Sequence, residues 1–361
     1  MHDILDFLTL SRQQDASDLH IAAGAPPMLR IHGQLTPLDV EPLDATMCRG
    51  LIMGVLTDSQ RSRLEKDWDL DFALHVEGVG RFRGNAHHAR GSVEAAFRYI
   101  PVQPPDLASL GHSESVEELC NVPHGLILVT GVAGMGKSTT LAAMTRRIIE
   151  ERAGVVVTVE DPVEYVFEHG RSIVKQRQIG TDTPSFSLAL RSAMRQDLNV
   201  IVVSEMRDLD SISAAITAAE TGHLVISTLH TRDAPGAVDR MVDVFPPQQQ
   251  AQVRTQLASV LTAVVSQRLM PRADVPGRVM ASEVMIVNQG IRSAIHDHRF
   301  EQIYGLMQIG ASQGMHTFDD SYLHLACNGH IHLDEALRYA RHPEDLQINF
   351  REHLRTQKRR Q

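Results

Sequence analysis

Four near-continuous apolar runs dominate the middle of the chain: "GLILVT" (125–130), "GVVVTVE" (154–160), "NVIVVSE" (199–205) and "HLVISTLH" (223–230). None alternates polar with apolar, so none can lie half-solvated. Each reads as a strand buried on both faces, and helical stretches such as "KSTTLAAMTRRIIEE" (137–151) separate them. That order predicts a parallel sheet covered by crossover helices, an α/β core.

Between the first run and the first helix lies "GVAGMGKST". It matches G-x-x-x-x-G-K-[ST] through Gly131, Gly136, Lys137 and Ser138 in the strand-loop-helix setting that the chemistry needs. Gly131, Gly134 and Gly136 let backbone N–H groups wrap phosphate oxygens at a helix N-terminus. Lys137 reaches the β and γ phosphates, and Ser138, followed by Thr139, offers a hydroxyl to Mg²⁺. The pattern points to ATP as ligand and Mg²⁺ as its companion.

Hydrolysis also needs acids, one to hold the metal and one to orient or deprotonate water. Two clusters follow apolar runs at the sheet end where α/β folds bind ligands. "VVVTVEDPVEY" supplies Glu160, Asp161 and Glu164; "NVIVVSEMRD" supplies Glu205, then Arg207 and Asp208. Acids past strands also cap helices, and spacing alone does not separate the two roles. "TGHLVISTLHT" adds His223 and His230 at the two ends of a further run, as structural residues or as phosphate sensors.

The remainder bounds the molecule. From Leu19 to Arg98, short partly alternating segments ("DLHIAA", "PMLRIHG", "GRFRGNAHHARGSVEAAFRYI") between Gly and Pro predict a small α+β domain. The expected layout is an N-terminal domain over 1–99, a proline-rich linker over 100–111, the ATPase core over 112–275 and a helical region over 276–361. In "AQVRTQLASVLTAVVSQRLM", Val253, Leu257, Val260, Leu261, Val264 and Val265 form one apolar stripe, which predicts a single amphipathic helix. Three scattered cysteines, Cys48, Cys120 and Cys327, build neither a disulfide framework nor a zinc module, and fit a reducing compartment. With 35 basic against 44 acidic residues and one Trp, the composition disfavours a RecA-like nucleic-acid motor, which would need a basic strand-binding loop with stacking aromatics and stays the less favoured alternative. The N-terminus reads as no signal peptide, no run reaches the roughly 18 apolar residues of a span, and the basic tail "RTQKRRQ" suits solvent or anionic lipid.

The ordered set "GVAGMGKSTT", "TVEDPVEY", "VVSEMRD" and "AETGHLVISTLHT", preceded by "ASDLHIAAGAPPMLRIHG", resembles the secretion-type hexameric ATPases, and among them the type IV pilus retraction ATPases of the PilT kind. The resemblance spans nearly the whole chain. It implies a RecA-like P-loop core behind a PAS-like N-terminal domain, in which the four stretches are the Walker A, Asp box, Walker B and His box. It makes Glu164 the catalytic glutamate, Glu205 the Walker B acid, and His223 and His230 the His-box pair, with Glu160 and Asp161 supporting the metal. "GRFRGNAHHAR" would bring Arg81, Arg83 and Arg90 to a nucleotide in a neighbouring subunit. Implied partners are five further copies in a cytoplasmic hexamer, an inner-membrane pilus platform protein and a paralogous retraction ATPase, with no nucleic acid and no zinc.

Pilus-assembly and type II secretion ATPases and the accessory retraction ATPase remain as alternatives. The lack of a tetracysteine module and the "SEMRD" run favour the retraction branch. Departures from its usual pattern are Ser204 in place of glycine, "DLN" at 197–199, and Val132, Ala133 and Met135 in the loop. In "GIRSAIHDHRFEQI" only Ile291, Arg292 and Ile295 of the retraction motif are kept.

Overall fold

The computed structural model describes residues 3–31, 33–100 and 103–360, the side chains of 357–360 excepted. Of the expected linker, Pro101 and Val102 lie outside the described residues. So does most of the basic tail: the 357–360 side chains and Gln361. Two compact units emerge, Met1–Gln103 with Pro162–Val166, and Pro104–Asp161 with Phe167–Gln361.

The first unit is an antiparallel sheet with three helices. The strands are β1 (Asp18–Ile21), β2 (Met28–Ile31), β3 (Gln34–Pro37), β4 (Asp69–Val76), β5 (Gly80–Ala89) and β6 (Ser92–Ile100), in the order β3-β2-β1-β6-β5-β4. The helices α1 (Ile4–Gln13), α2 (Ala45–Gly54) and α3 (Asp58–Asp67) begin at the capping side chains of Asp3, Asp44 and Thr57. On β5 the period of two is plain: Phe82, Gly84 and Ala86 are buried, while Arg81, Arg83, Asn85 and His87 share the less buried face.

The second unit is built on a seven-stranded sheet. Its strands are β7 (Gly125–Thr130), β8 (Gly154–Glu160), β9 (Ser172–Gln178), β10 (Val200–Val203), β11 (Leu224–Leu229), β12 (Leu261–Pro271) and β13 (Arg278–Ile286). The order is β13-β12-β7-β11-β10-β8-β9, parallel except for the antiparallel edge strand β13. The helices of its α/β part are α4 (Glu114–Glu118), α5 (Lys137–Glu151), α6 (Phe186–Ala193), α7 (Leu209–Glu220), α8 (Ala234–Asp243) and α9 (Pro247–Val260). Beyond β13 the chain is helical: α10 (Gln289–His296), α11 (Ile303–Ile309), α12 (Phe318–Cys327), α13 (Leu333–Tyr339) and α14 (Pro343–Arg360). This is the expected α/β P-loop core with an N-terminal α+β unit and a helical C-terminal region. Among the described residues no helix is long and apolar enough to cross a membrane.

One element differs from expectation. The stripe predicted as a single helix breaks at Val260: α9 carries Val253, Leu257 and Val260, while Leu261, Val264 and Val265 belong to β12. β12 lies between β7 and β13, buried from both faces, so its apolar run reflects sheet burial rather than a helical stripe. The core sheet therefore continues through β13, past residue 275.

Candidate functional site

In a parallel sheet all strands end at one edge, so the segments leaving β7, β8, β10 and β11 converge there. β7 ends at Thr130 and passes into the phosphate loop; Gly136, at φ +83°, is the N-cap of α5. Gly131 has φ +150°, and a Cβ there would lie 2.6 Å from the Gln267 carbonyl, so only glycine fits.

Lys137, at the first position of α5, is 8% exposed. Its Nζ donates to the Val132 carbonyl at 3.1 Å and meets His230 Nδ1 at 3.2 Å. On the far side of the ring, His230 Nε2 lies 3.0 Å from Glu205 Oε1. An ammonium only donates, so Nδ1 is the acceptor and Nε2–H donates to the carboxylate. His230 thus joins lysine and acid through its two ring nitrogens. Glu205 Oε2 accepts from Arg207 at 2.9 Å. Burial pushes the Glu205 carboxyl up, but the Arg207 bond and the His230 contact outweigh it, and the acid sits below its ordinary value. Arg207 also feels exposed Asp161.

The neighbouring strand ends support this group. Ser204 N donates to Val159 O and its carbonyl accepts from Thr228 Oγ1 at 2.6 Å, which fixes the start of the Glu205 segment between β8 and β11. Ser204 is absent from the described non-glycine residues with positive φ, so no glycine is required there. Glu160, 9% exposed, accepts from Thr158 Oγ1 at 2.7 Å and Gln176 Nε2 at 3.0 Å. Asp208 is a helix cap, accepting from Ser211 N. The Ser138 hydroxyl and the Glu205 and Glu160 carboxylates are hard oxygen donors of the kind Mg²⁺ takes alongside substrate phosphate, and the lowered Glu205 is ionised near neutrality.

The other candidates belong to other elements. His223 sits at the start of β11, its carbonyl bonded to Gly125 N at the start of β7, a strand's length of about 20 Å from the phosphate loop. Its Nδ1 meets the Ala218 carbonyl at the end of α7 at 3.0 Å, a helix-terminus contact. Glu164 belongs to the first unit, where its carboxylate is 3.9 Å from Arg83, which is equally far from Asp71. Arg81 shares the Arg83 face of β5, and exposed Arg90 occupies the β5–β6 turn at φ +50°. Cys48, Cys120 and Cys327 are free thiols, and burial pushes Cys120 up to about 12.

A residue without any motif to mark it braces the loop. Gln267 on β12 is 3% exposed and donates from Nε2 to the Met135 carbonyl at 2.6 Å, while Leu269 N reaches the Met135 sulfur. Its one signal in the sequence is an amide in the short polar stretch Ser266–Arg268 between apolar residues, since an amide buried there must find a partner. Gln267→Ala should weaken ATP binding about 5- to 150-fold, the effect of losing about 1–3 kcal/mol of hydrogen bonding at the loop; nucleotide titration checks it, and unchanged affinity refutes the bracing role.

Residues 101–302 match the family model described as "Type II/IV secretion system protein". The chain belongs to that family. Among its relatives, the type IV pilus retraction ATPase PilT of Pseudomonas aeruginosa is 43% identical over 95% of this chain and 100% of that protein. The twitching motility protein of Neisseria gonorrhoeae is 39% identical over 96% of this chain and 92% of its own length. A crystal structure of the pilus retraction motor PilT with bound ADP superposes with a TM-score of 0.89 at 42% identity, covering 96% of this chain and 99% of the other. The likeness to these relatives thus extends across both units, beyond the residues that the family model matches.

Proposed function

We propose that this chain is a Mg²⁺-dependent ATPase that powers type IV pilus retraction. The observation that carries the reading is the full-length likeness to retraction ATPases, N-terminal unit included, joined to the Lys137–His230–Glu205 relay at the sheet edge.

ATP phosphates enter the loop by exchanging with the Val132 carbonyl and His230 as partners of Lys137. Ser138 and Glu205, with Glu160, would hold Mg²⁺, which would supply neutralisation of the phosphate charge. Glu164 orients or deprotonates the attacking water. His230, released from Lys137, turns its acceptor nitrogen towards the site and reports the phosphate to Glu205. Thr139 and Gly134 complete the cradle. His223, at the opposite end of β11, acts on the nucleotide only indirectly, if the sheet transmits the change.

Six copies form the working ring. Arg81, Arg83 and Arg90 of one copy serve the nucleotide held by Lys137 of another, and the ring acts in the cytoplasm on an inner-membrane platform protein, alongside a paralogous retraction ATPase. Deleting the gene in its host and imaging surface pili tests the role in retraction. Excess non-retracting pili are expected, and bald cells would indicate assembly instead. Mixing two inactive proteins, Lys137→Ala and the triple Arg81→Ala/Arg83→Ala/Arg90→Ala, tests the shared site. Co-assembled mixtures should regain partial turnover, and no recovery in demonstrated mixed rings refutes it.

A further inference from the structure

Glu283 on β13 is 2% exposed and takes no part in the nucleotide relay. Its Oε1 accepts from the backbone N–H of Ala234 at 2.8 Å, and its Oε2 from that of Phe318 at 3.4 Å. Ala234 opens α8 and Phe318 opens α12. Both helices already have their own caps, Asp233 accepting from Gly236 N and Thr317 from Asp320 N. The buried carboxylate therefore does something other than cap: it ties two helix N-termini, each a concentration of donors and partial positive charge, to one strand.

The two helices have different company. α8 begins four residues after His230 and is reached through Thr231, whose hydroxyl bonds to Asp233 O. α12 is the helix on which the C-terminal region assembles: its Asp319 accepts from Arg341 N and His342 N, at the lead into α14. We propose that Glu283 is a positioning residue that couples the His230 segment to the C-terminal helices, and that its charge state decides whether the coupling is complete.

An ionised carboxylate accepts on both oxygens, whereas the protonated acid turns one oxygen into a donor. A hydroxyl oxygen is a much weaker acceptor than a carboxylate oxygen, and the longer link, to Phe318, is the one to lose. The side chain is then held at one point rather than two, and the first turn of α8 loosens with it. Burial raises Glu283 to about 7; Asp233 adds to the rise, and the two N–H bonds and Arg341 oppose it. The phenols of Tyr304 on α11 and Tyr322 on α12 also feel the Glu283 charge, and His316 sits beside its strand, paired with Val284 and bonded to Ser282. The sign follows: above neutrality the acid is charged and both links are made, below it only the Ala234 link remains.

The inference rests on His230 serving the nucleotide. The test compares the full chain with Glu283→Gln, whose amide nitrogen fixes the one-link state, in kcat and KM for ATP from about pH 6 to 8.5. The wild-type to variant ratio of kcat should be near unity at the acid end and climb several-fold through neutrality, with KM little changed. A ratio independent of pH overturns the proposal. If the variant fails to fold, amide exchange in the wild type, corrected for intrinsic rates, decides. Protection at Phe318 should rise through neutrality while that at Ala234 holds, and flat protection at both overturns the proposal. Undiminished turnover in His230→Ala would remove the nucleotide reading alone, because the amide measurement reports the tie without it.

Discussion

Lys137→Ala should lose nucleotide affinity and turnover together, turnover by at least about 10²–10³-fold, the scale of removing a preorganised donor from developing charge. The lysine is nearly buried and its ammonium already bonds to Val132 O and His230, so the cation is held in place before any phosphate arrives. Alanine removes the charge and also frees the acceptor nitrogen of His230, which loosens the ring against Glu205. Phosphate release and nucleotide titration measure the two losses. Wild-type turnover in a folded Lys137→Ala protein would exclude the phosphate loop as the catalytic centre.

The second large effect separates two carboxylates. Glu164→Gln should still bind Mg-ATP yet hydrolyse it about 10²–10⁴-fold more slowly, the usual contribution of a general base. Glu205→Gln should also slow turnover and, unlike the first variant, raise the Mg²⁺ concentration needed for half-maximal rate. Its amide can still accept from His230 Nε2–H, but the negative charge that Arg207 now stabilises is gone. Turnover against Mg²⁺ concentration distinguishes them. Normal hydrolysis by Glu164→Gln would move the water-activating role to Glu160.

Local signals made much of this legible. An apolar run on a strand buried from both faces needs no tertiary information, and a glycine loop between such a strand and a helix has few other uses. Glu205 and His230 could be placed at the phosphate-loop edge because each directly follows a run, at the C-terminal end of a parallel strand. His223 precedes its run instead, so the strand's direction carries it to the far edge. The α9–β12 junction was hidden for another reason. Val260 and Leu261 are consecutive apolar residues, and a stripe that continues in register across a helix-to-strand change has no polar break to betray it. The β-branched pair Val264 and Val265 was the available clue. Gln267 and Glu283 were the least visible, since their partners are backbone groups of segments distant in sequence.

The position of β7 sets an order of events during synthesis. It lies between β11 and β12, and the buried bond from Thr130 to Ser266 spans 136 residues, with the Gln267 brace on Met135 spanning 132. A chain emerging from the ribosome thus exposes the phosphate loop long before the strand that steadies it exists. Closing so distant a pairing is slow, and the apolar edge of β7 stays open meanwhile. Truncated nascent chains ending before residue 261 should therefore engage chaperones and bind nucleotide poorly, and the switch to a competent site should come only once β12 has cleared the exit tunnel.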